Sequence, residues 1–271
     1  MLQAADVGFA YHGRTPVLRG VSMDVPPESF VGILGPNGSG KTTLLRILAG
    51  TLRPSPGRVM LDGDDLGRTP RGVLARRMAV VPQETQLAFE YSVIEVVLMG
   101  RYPHLGPFEI EGPADLAIAR EALAATETLP LEDRAFGTLS GGEKQRVIIA
   151  AALAQISGAA TGRGILLLDE PTAALDLAYQ LELAELLRDL QRRLRIAIAV
   201  STHDLNFAAS LCRTLVLLKG GQVLAAGPTE EALTPDRIRA LYGVKAEVTR
   251  HAATGRLVVV PLRRVSPGPD A

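Results

Sequence analysis

Cysteine is nearly missing from this chain: one, Cys212, stands among 271 residues. A lone cysteine excludes an internal disulfide and suits a reducing compartment. It lies in Ala208-Ala209-Ser210-Leu211-Cys212, which reads as the buried face of a helix, so a small core residue is expected rather than a nucleophile. Charge of one sign is missing too, since 29 Lys and Arg cancel 29 Asp and Glu. That argues against nucleic acid as a partner, which a basic patch would announce. The clusters Arg76–Arg77 and Arg192–Arg193 read as solvated helix faces. Long apolar runs are absent: the longest, Val147 to Ala154, falls short of the ~20 residues that span a bilayer. No basic start followed by an apolar run opens the chain, so no signal peptide is expected, and any membrane role must pass through a partner. What remains, 47% hydrophobic and 21% charged residues, is ordinary globular composition.

Val7, Phe9, Val17, Leu18, Val21, Met23 and Val25 are spaced for half-buried strands around a turn at His12-Gly13-Arg14. Uninterrupted apolar runs predict buried strands at Phe30–Leu34, Met78–Val81, Ile165–Leu168, Ile196–Val200 and Leu215–Leu218. Helical patterns lie between them at Lys41–Ala49, Leu175–Leu194 and Leu205–Leu211. This alternation predicts an α/β core with a mostly parallel sheet. From about Ser92 to Ala154 the strand signal vanishes. Ser92–Gly100, Ala114–Thr126 and Gly142–Gln155 read as helices of an inserted subdomain. Ala246–Leu262 returns to short strands, and the tail Ser266–Ala271 is expected to be disordered.

Gly35-Pro36-Asn37-Gly38-Ser39-Gly40-Lys41-Thr42 matches the phosphate-binding P-loop, with a buried strand before it and a helix after it. Its glycines let backbone N–H groups turn inward, and the helix start adds positive potential. Lys41 is expected on the β- and γ-phosphates and Thr42 on Mg²⁺, with Thr43 beside them in the phosphate-binding set. The strand Ile165–Leu168 ends in Asp169-Glu170. A carboxylate there suits Mg²⁺ for Asp169, and Glu170 is placed to orient or deprotonate the attacking water. Ser140-Gly141-Gly142-Glu143 is a second capped helix start able to meet an anion.

Ser140 to Gln145 resembles the signature motif of ABC ATPases, which contacts the γ-phosphate held by the P-loop of the other subunit. The family's other motifs follow in order. Tyr11 resembles the aromatic that stacks on adenine. Gln83 resembles the glutamine that meets Mg²⁺ and water and senses the membrane partner. Ala174-Leu175-Asp176 resembles the loop that crosses the dimer interface, with Ala173-Ala174 where the family often has serine. His203, in Ser201-Thr202-His203-Asp204, resembles the switch histidine on the γ-phosphate. The catalytic residues implied are Glu170, His203 and Gln83, with Thr42, Gln83 and Asp169 on the metal. Leu98-Met99-Gly100-Arg101-Tyr102-Pro103-His104 is similar to a segment in ATPases of importers for ferric siderophores, haem and cobalamin, and the long small-residue connector Ile156–Gly164 resembles that of haem-importer ATPases.

The resemblance implies a RecA-like P-loop core with an antiparallel β part. Residues 1–245 form the ATPase domain, 88–157 its helical subdomain, and 246–271 a short β extension and tail. It implies MgATP bound between two copies of the chain, and permease subunits contacted near Gln83 and the helical part. A substrate-binding protein feeds the permease, and the chain sits peripherally on the cytoplasmic face of the inner membrane. Substituting Arg101 or His104 is expected to spare ATP hydrolysis while weakening coupling to the permease. The rival is a soluble ABC ATPase acting on another macromolecule without a permease, but those linked to DNA or translation carry coiled-coil insertions or two ATPase units. A non-hydrolysing sensor is disfavoured by Glu170 and His203.

Overall fold

The computed structural model describes residues 1–13, 15–85, 88–158, 164–173 and 175–265. Arg14 of the expected first turn, Ala174, part of the connector and the tail therefore lie outside the described residues. The first half of the chain runs β1 (Leu2–Phe9), β2 (Leu18–Val25), β3 (Phe30–Leu34), α1 (Lys41–Leu48), β4 (Arg58–Leu61), β5 (Asp64–Asp65), α2 (Arg71–Ala75), β6 (Met78–Val81), α3 (Val93–Leu98) and α4 (Pro113–Ala125). It continues with α5 (Gly141–Ile156), β7 (Ile165–Asp169), α6 (Leu177–Leu194), β8 (Ala197–Thr202), α7 (Leu205–Leu211), β9 (Thr214–Lys219), β10 (Gln222–Pro228), α8 (Thr229–Ala232), α9 (Pro235–Tyr242), β11 (Val244–Arg250) and β12 (Leu257–Arg264). Two compact units result, one of residues 1–67 with 199–271 and one of residues 68–198.

In the first unit, β2, β1, β4 and β5 form an antiparallel sheet in that order. Leu2, Val7, Val21 and Val25 are wholly buried on its inner face. The apolar run Phe30–Leu34 is a strand with every residue buried, as its unbroken pattern demands. It pairs in parallel with β9, matching Val31 to Thr214 and Leu34 to Leu217. The edge strand β10 then pairs antiparallel with β9, within the mostly parallel sheet expected. The hairpin β11–β12 closes the unit. Two bonds tie it to α7, Asn206 Nδ2 donating to the Val259 carbonyl at 3.2 Å and the Val259 amide to Asn206 Oδ1 at 2.8 Å.

In the second unit β6 pairs in parallel with β7, setting Val81 opposite Leu168. Helix α5 is the centre around which α3 and α4 pack. Val147, Ile149, Ala150 and Ala154 are its wholly buried positions. Helix α3 starts with a capping box, Ser92 Oγ accepting from the Glu95 amide while the Glu95 carboxylate accepts from the Ser92 amide at 2.7 Å. Helix α6 begins at Leu177 rather than Leu175, because Asp176 caps it by accepting from the Tyr179 amide at 3.0 Å. Arg76 and Arg77 follow the short helix α2 instead of lying on a helix face, and Arg76 Nε donates to the Pro103 carbonyl at 2.6 Å.

Arg101 changes meaning here. It sits in the 3₁₀ turn Met99–His104 and is 6% exposed. Its Nε donates to Asp115 Oδ1 at 2.9 Å and its Nη1 to the carbonyls of Ala154 at 2.7 Å and Ser157 at 3.3 Å. His104 Nε2 donates to the Gln155 carbonyl at 2.7 Å, and burial holds its imidazole below the ordinary histidine value. The segment therefore fastens the end of α5 to α4, a structural role for Arg101 and His104 beside the expected one in coupling. Removing one partner of a buried charged pair is costly, so Arg101→Ala should lose about 3 kcal/mol of stability in urea unfolding. Arg120→Ala, whose ion pair to Glu132 lies in solvent, should leave the midpoint unmoved.

Candidate functional site

The first unit carries the P-loop. Strand β3 delivers the chain into Gly35, whose amide donates to the Thr202 carbonyl at 3.4 Å. That bond holds the start of the loop against the end of β8, one residue before His203. Gly40 takes φ 103° and serves as N-cap of α1, and a Cβ there would lie 2.7 Å from Leu18 Cδ2; only glycine meets both demands. The Ser39 carbonyl accepts from the Gly221 amide at 3.1 Å, fixing the middle of the loop. Lys41, first residue of α1 and 5% exposed, reaches back so that Nζ donates to the Gly35 carbonyl at 2.8 Å and the Pro36 carbonyl at 3.2 Å. The ammonium is thereby held within the turn of the loop. Ser39 is 3% exposed and its hydroxyl is buried with no hydrogen-bond partner. An unpartnered buried hydroxyl is costly, and this one sits in a loop whose charge favours anions, so the residues present fit a bound phosphate.

Tyr11 is 37% exposed, stacks edge-on against Phe9 at 4.9 Å, and places its hydroxyl 3.4 Å from Thr43 Oγ1. Its ring stands beside the start of α1, partly open, as a stacking residue requires. His203 is exposed, and its carbonyl accepts from the Tyr242 hydroxyl at 3.1 Å. Asp204 next to it caps α7, accepting from the amides of Asn206 at 2.8 Å and Phe207 at 3.0 Å. Cys212 follows that helix, buried, with its thiol pushed well above the usual range by desolvation, which confirms it as core.

The second unit brings Gln83, Asp169 and Glu170 to the same end of two paired strands. Val81 is opposite Leu168, so Gln83 and Asp169 both follow at the C-terminal ends. Asp169 is 8% exposed. Glu170 has φ 44°, an uncommon left-handed conformation for a carboxylate residue, and its carbonyl accepts from the Ala173 amide at 3.1 Å. Such backbone strain clusters at functional positions. Gln83 is exposed in the following loop.

The same unit sets the starts of α5 and α6 side by side. Ser140 caps α5 with a full capping box: its Oγ accepts from the Glu143 amide at 3.3 Å and the Glu143 carboxylate accepts from the Ser140 amide at 2.8 Å. The Ser140 amide, then its hydroxyl, hold the Glu143 carboxyl below its ordinary value. A depressed carboxyl stabilises above its unfolded value, so the box stands at neutral pH and is lost only as pH falls through that lowered value. Gly141 is exposed and Gly142 buried. A Cβ on Gly142 would lie 2.4 Å from the ring of Tyr179, one turn into α6. Below this contact Arg146 donates to Glu127 at 2.7 Å and Glu182 at 2.6 Å. Asp176, the cap of α6, is exposed. Tyr179 and Tyr242 are not legible in the sequence, because nothing in the pattern of a lone tyrosine signals what it packs against.

These arrangements define a P-loop nucleoside-triphosphatase. The sequence model of the ABC transporter family matches residues 18–173, more than half of the chain. Over 267 residues the chain is 43% identical to the hemin import ATP-binding protein HmuV of Gloeobacter violaceus, covering 98% of this chain and 96% of that one. It is 40% identical to the cobalamin import ATP-binding protein BtuD of Halobacterium salinarum, over 92% of this chain and 60% of that one. A solved metal-chelate type ABC transporter in an inward-facing conformation superposes with TM-score 0.83 over 97% of both chains at 30% identity. A bacterial ABC transporter cassette solved as a dimer does so with TM-score 0.72, over 84% of this chain and 99% of that one, at 28% identity. The chain belongs to the ABC transporter family, as one of its ATP-binding, ATP-hydrolysing cassettes. Among the described residues no helix is long and apolar enough to cross a membrane.

The Gly142–Tyr179 contact is directly testable. Gly142→Ala should lower both the thermal midpoint and ATP turnover, and Gly142→Ala with Tyr179→Ala should recover part of the loss. A double-mutant cycle should give a coupling of about 1 kcal/mol or more; strictly additive losses would refute the contact.

Proposed function

We propose that this cassette energises an importer for an iron chelate, haem or cobalamin. The observation that carries this reading is its 43% identity, over nearly the full length of both chains, to a hemin import ATP-binding protein. The cobalamin import relative supports the same class of cargo. Both relatives favour this reading over a soluble ATPase without a permease.

ATP lies along the P-loop, with the backbone amides and Lys41 on its phosphates, the Ser39 hydroxyl on a phosphate oxygen, and Tyr11 on the adenine. Gly35, Pro36, Asn37, Gly38, Gly40 and Thr43 shape the cradle. Thr42, Asp169 and Gln83 would hold Mg²⁺, which would supply charge neutralisation at the phosphates. Glu170 accepts a proton from the attacking water, and His203 contacts the γ-phosphate. Ser140, Gly141 and Gly142 present the start of α5 to the γ-phosphate held by a second copy of the chain, with Asp176 at the interface between copies. Hydrolysis then opens the homodimer. The opening passes through Gln83 and the helical residues 88–157 to integral membrane permease subunits, which a substrate-binding protein supplies. The chain works on the cytoplasmic face of the inner membrane as a peripheral subunit. Residues 246–271 are an extension of the ATPase domain 1–245.

Glu170→Gln keeps the size and hydrogen bonding of the side chain but removes its basicity. The variant should bind MgATP yet hydrolyse it at least ~100-fold more slowly. Each ATP touches both copies, so size measurement should then show a dimer with MgATP and a monomer without. Adding Ser140→Arg should abolish that dimer. Undiminished hydrolysis, or a dimer that tolerates Ser140→Arg, contradicts the mechanism. For the cargo, the ATPase of the complex reconstituted with its permease and binding protein should rise with haem, a ferric siderophore or cobalamin. No rise with any of the three refutes the import reading.

A further inference from the structure

Helix α9 and the hairpin β11–β12 enclose a cleft of about 270 Å³ in the first unit. Arg239 of α9, Lys245 of β11 and Arg263 of β12 line it, against one carboxylate, Asp236. Lys245 and Arg263 are direct cross-strand partners. Like charges placed opposite one another destabilise a hairpin, and Arg239 adds a third cation from the helix. All three side chains are exposed, and none makes a hydrogen bond or ion pair among the described residues. One other exposed cation of the same hairpin, Arg250, does find a carboxylate, Glu230 at 2.6 Å.

The walls of the cleft are fixed. Ala246, at its floor, is 4% exposed. The Val265 amide donates to the Gly243 carbonyl at 2.7 Å, closing the hairpin onto the end of α9. Tyr242 at the end of α9 bonds the His203 carbonyl, and Asn206 holds Val259 of β12 by both amide atoms. Three cations lining one cleft on a held frame form a site of positive potential. Two guanidinium forks and an ammonium match the several oxygens of a phosphate better than a single carboxylate. The volume suits a small group such as a phosphate or diphosphate.

We infer that this cleft binds a phosphate-bearing anion, either a soluble phosphate compound or the headgroup of an anionic lipid. The site stands apart from the P-loop, so its test does not depend on the assignment of ATP hydrolysis. The full chain with its P-loop filled by Mg²⁺ and a non-hydrolysable ATP analogue serves as the background. Calorimetric titration with inorganic pyrophosphate at low ionic strength should show saturable binding. Adding Arg239→Gln, Lys245→Gln and Arg263→Gln should weaken it at least ~tenfold, the equivalent of about 1.4 kcal/mol. Flotation with phosphatidylcholine vesicles, with and without phosphatidylglycerol, distinguishes the sources. Binding that requires phosphatidylglycerol and all three cations, and that pyrophosphate displaces, assigns a lipid headgroup. Pyrophosphate binding without vesicle binding assigns a soluble compound. Binding unchanged in the triple variant, or no binding of either probe, overturns the inference.

Discussion

The Lys41 ammonium, donating to the carbonyls of Gly35 and Pro36, is the interaction on which the first unit is arranged. A buried cation needs oxygen partners, and in this loop the nearest are main-chain carbonyls. To supply them the chain must double back between β3 and α1 within six residues. That demand explains Gly40 at positive φ. It also explains why two more elements brace the loop from outside, the end of β8 through Thr202 and the turn at Gly221. The turn then carries a positive charge within it, which is chemistry a triphosphate needs.

The second unit solves a related problem with different means. It holds two helix starts close together, α5 capped by Ser140 and α6 capped by Asp176. A helix start gathers positive potential, and two in contact would drift apart without fastening. Tyr179 packed on Gly142 and Arg146 shared between Glu127 and Glu182 supply that fastening. At the far end of α5, Arg101 does the same for the surrounding helices. The unit therefore presents Ser140, Gly141 and Gly142 on a rigid frame rather than on a loop.

How much of this could be read beforehand follows from burial. Phe30–Leu34 and Met78–Val81 were predicted residue for residue, because strands buried on both faces carry an unbroken apolar run. Strands β4 and β5 were missed as too short, and β10 because Gln222–Pro228 alternates half-buried and exposed positions and ends in Gly-Pro. Helix α8 has four residues, too few to show a helical period, and α9 buries only Ile238 and Leu241, too few to mark a face. The motif residues can be named as candidates from the sequence because their chemistry demands particular side chains in order. The structural role of Arg101 was not legible because a charged residue gives no sign of burial until its partners, fourteen and more than fifty residues away, are in place. The pairing of Lys245 with Arg263 has the same character, since only the register of the hairpin reveals it.

The central claim is that the loop from Gly35 to Thr43 is the nucleotide cradle. Amide NMR of the isotope-labelled chain, titrated with Mg²⁺ and a non-hydrolysable ATP analogue, tests it most directly. The largest and earliest shifts should fall on residues 35–43, with Tyr11 and Asp169–Glu170 following. Saturable binding whose shifts avoid residues 35–43 would contradict it.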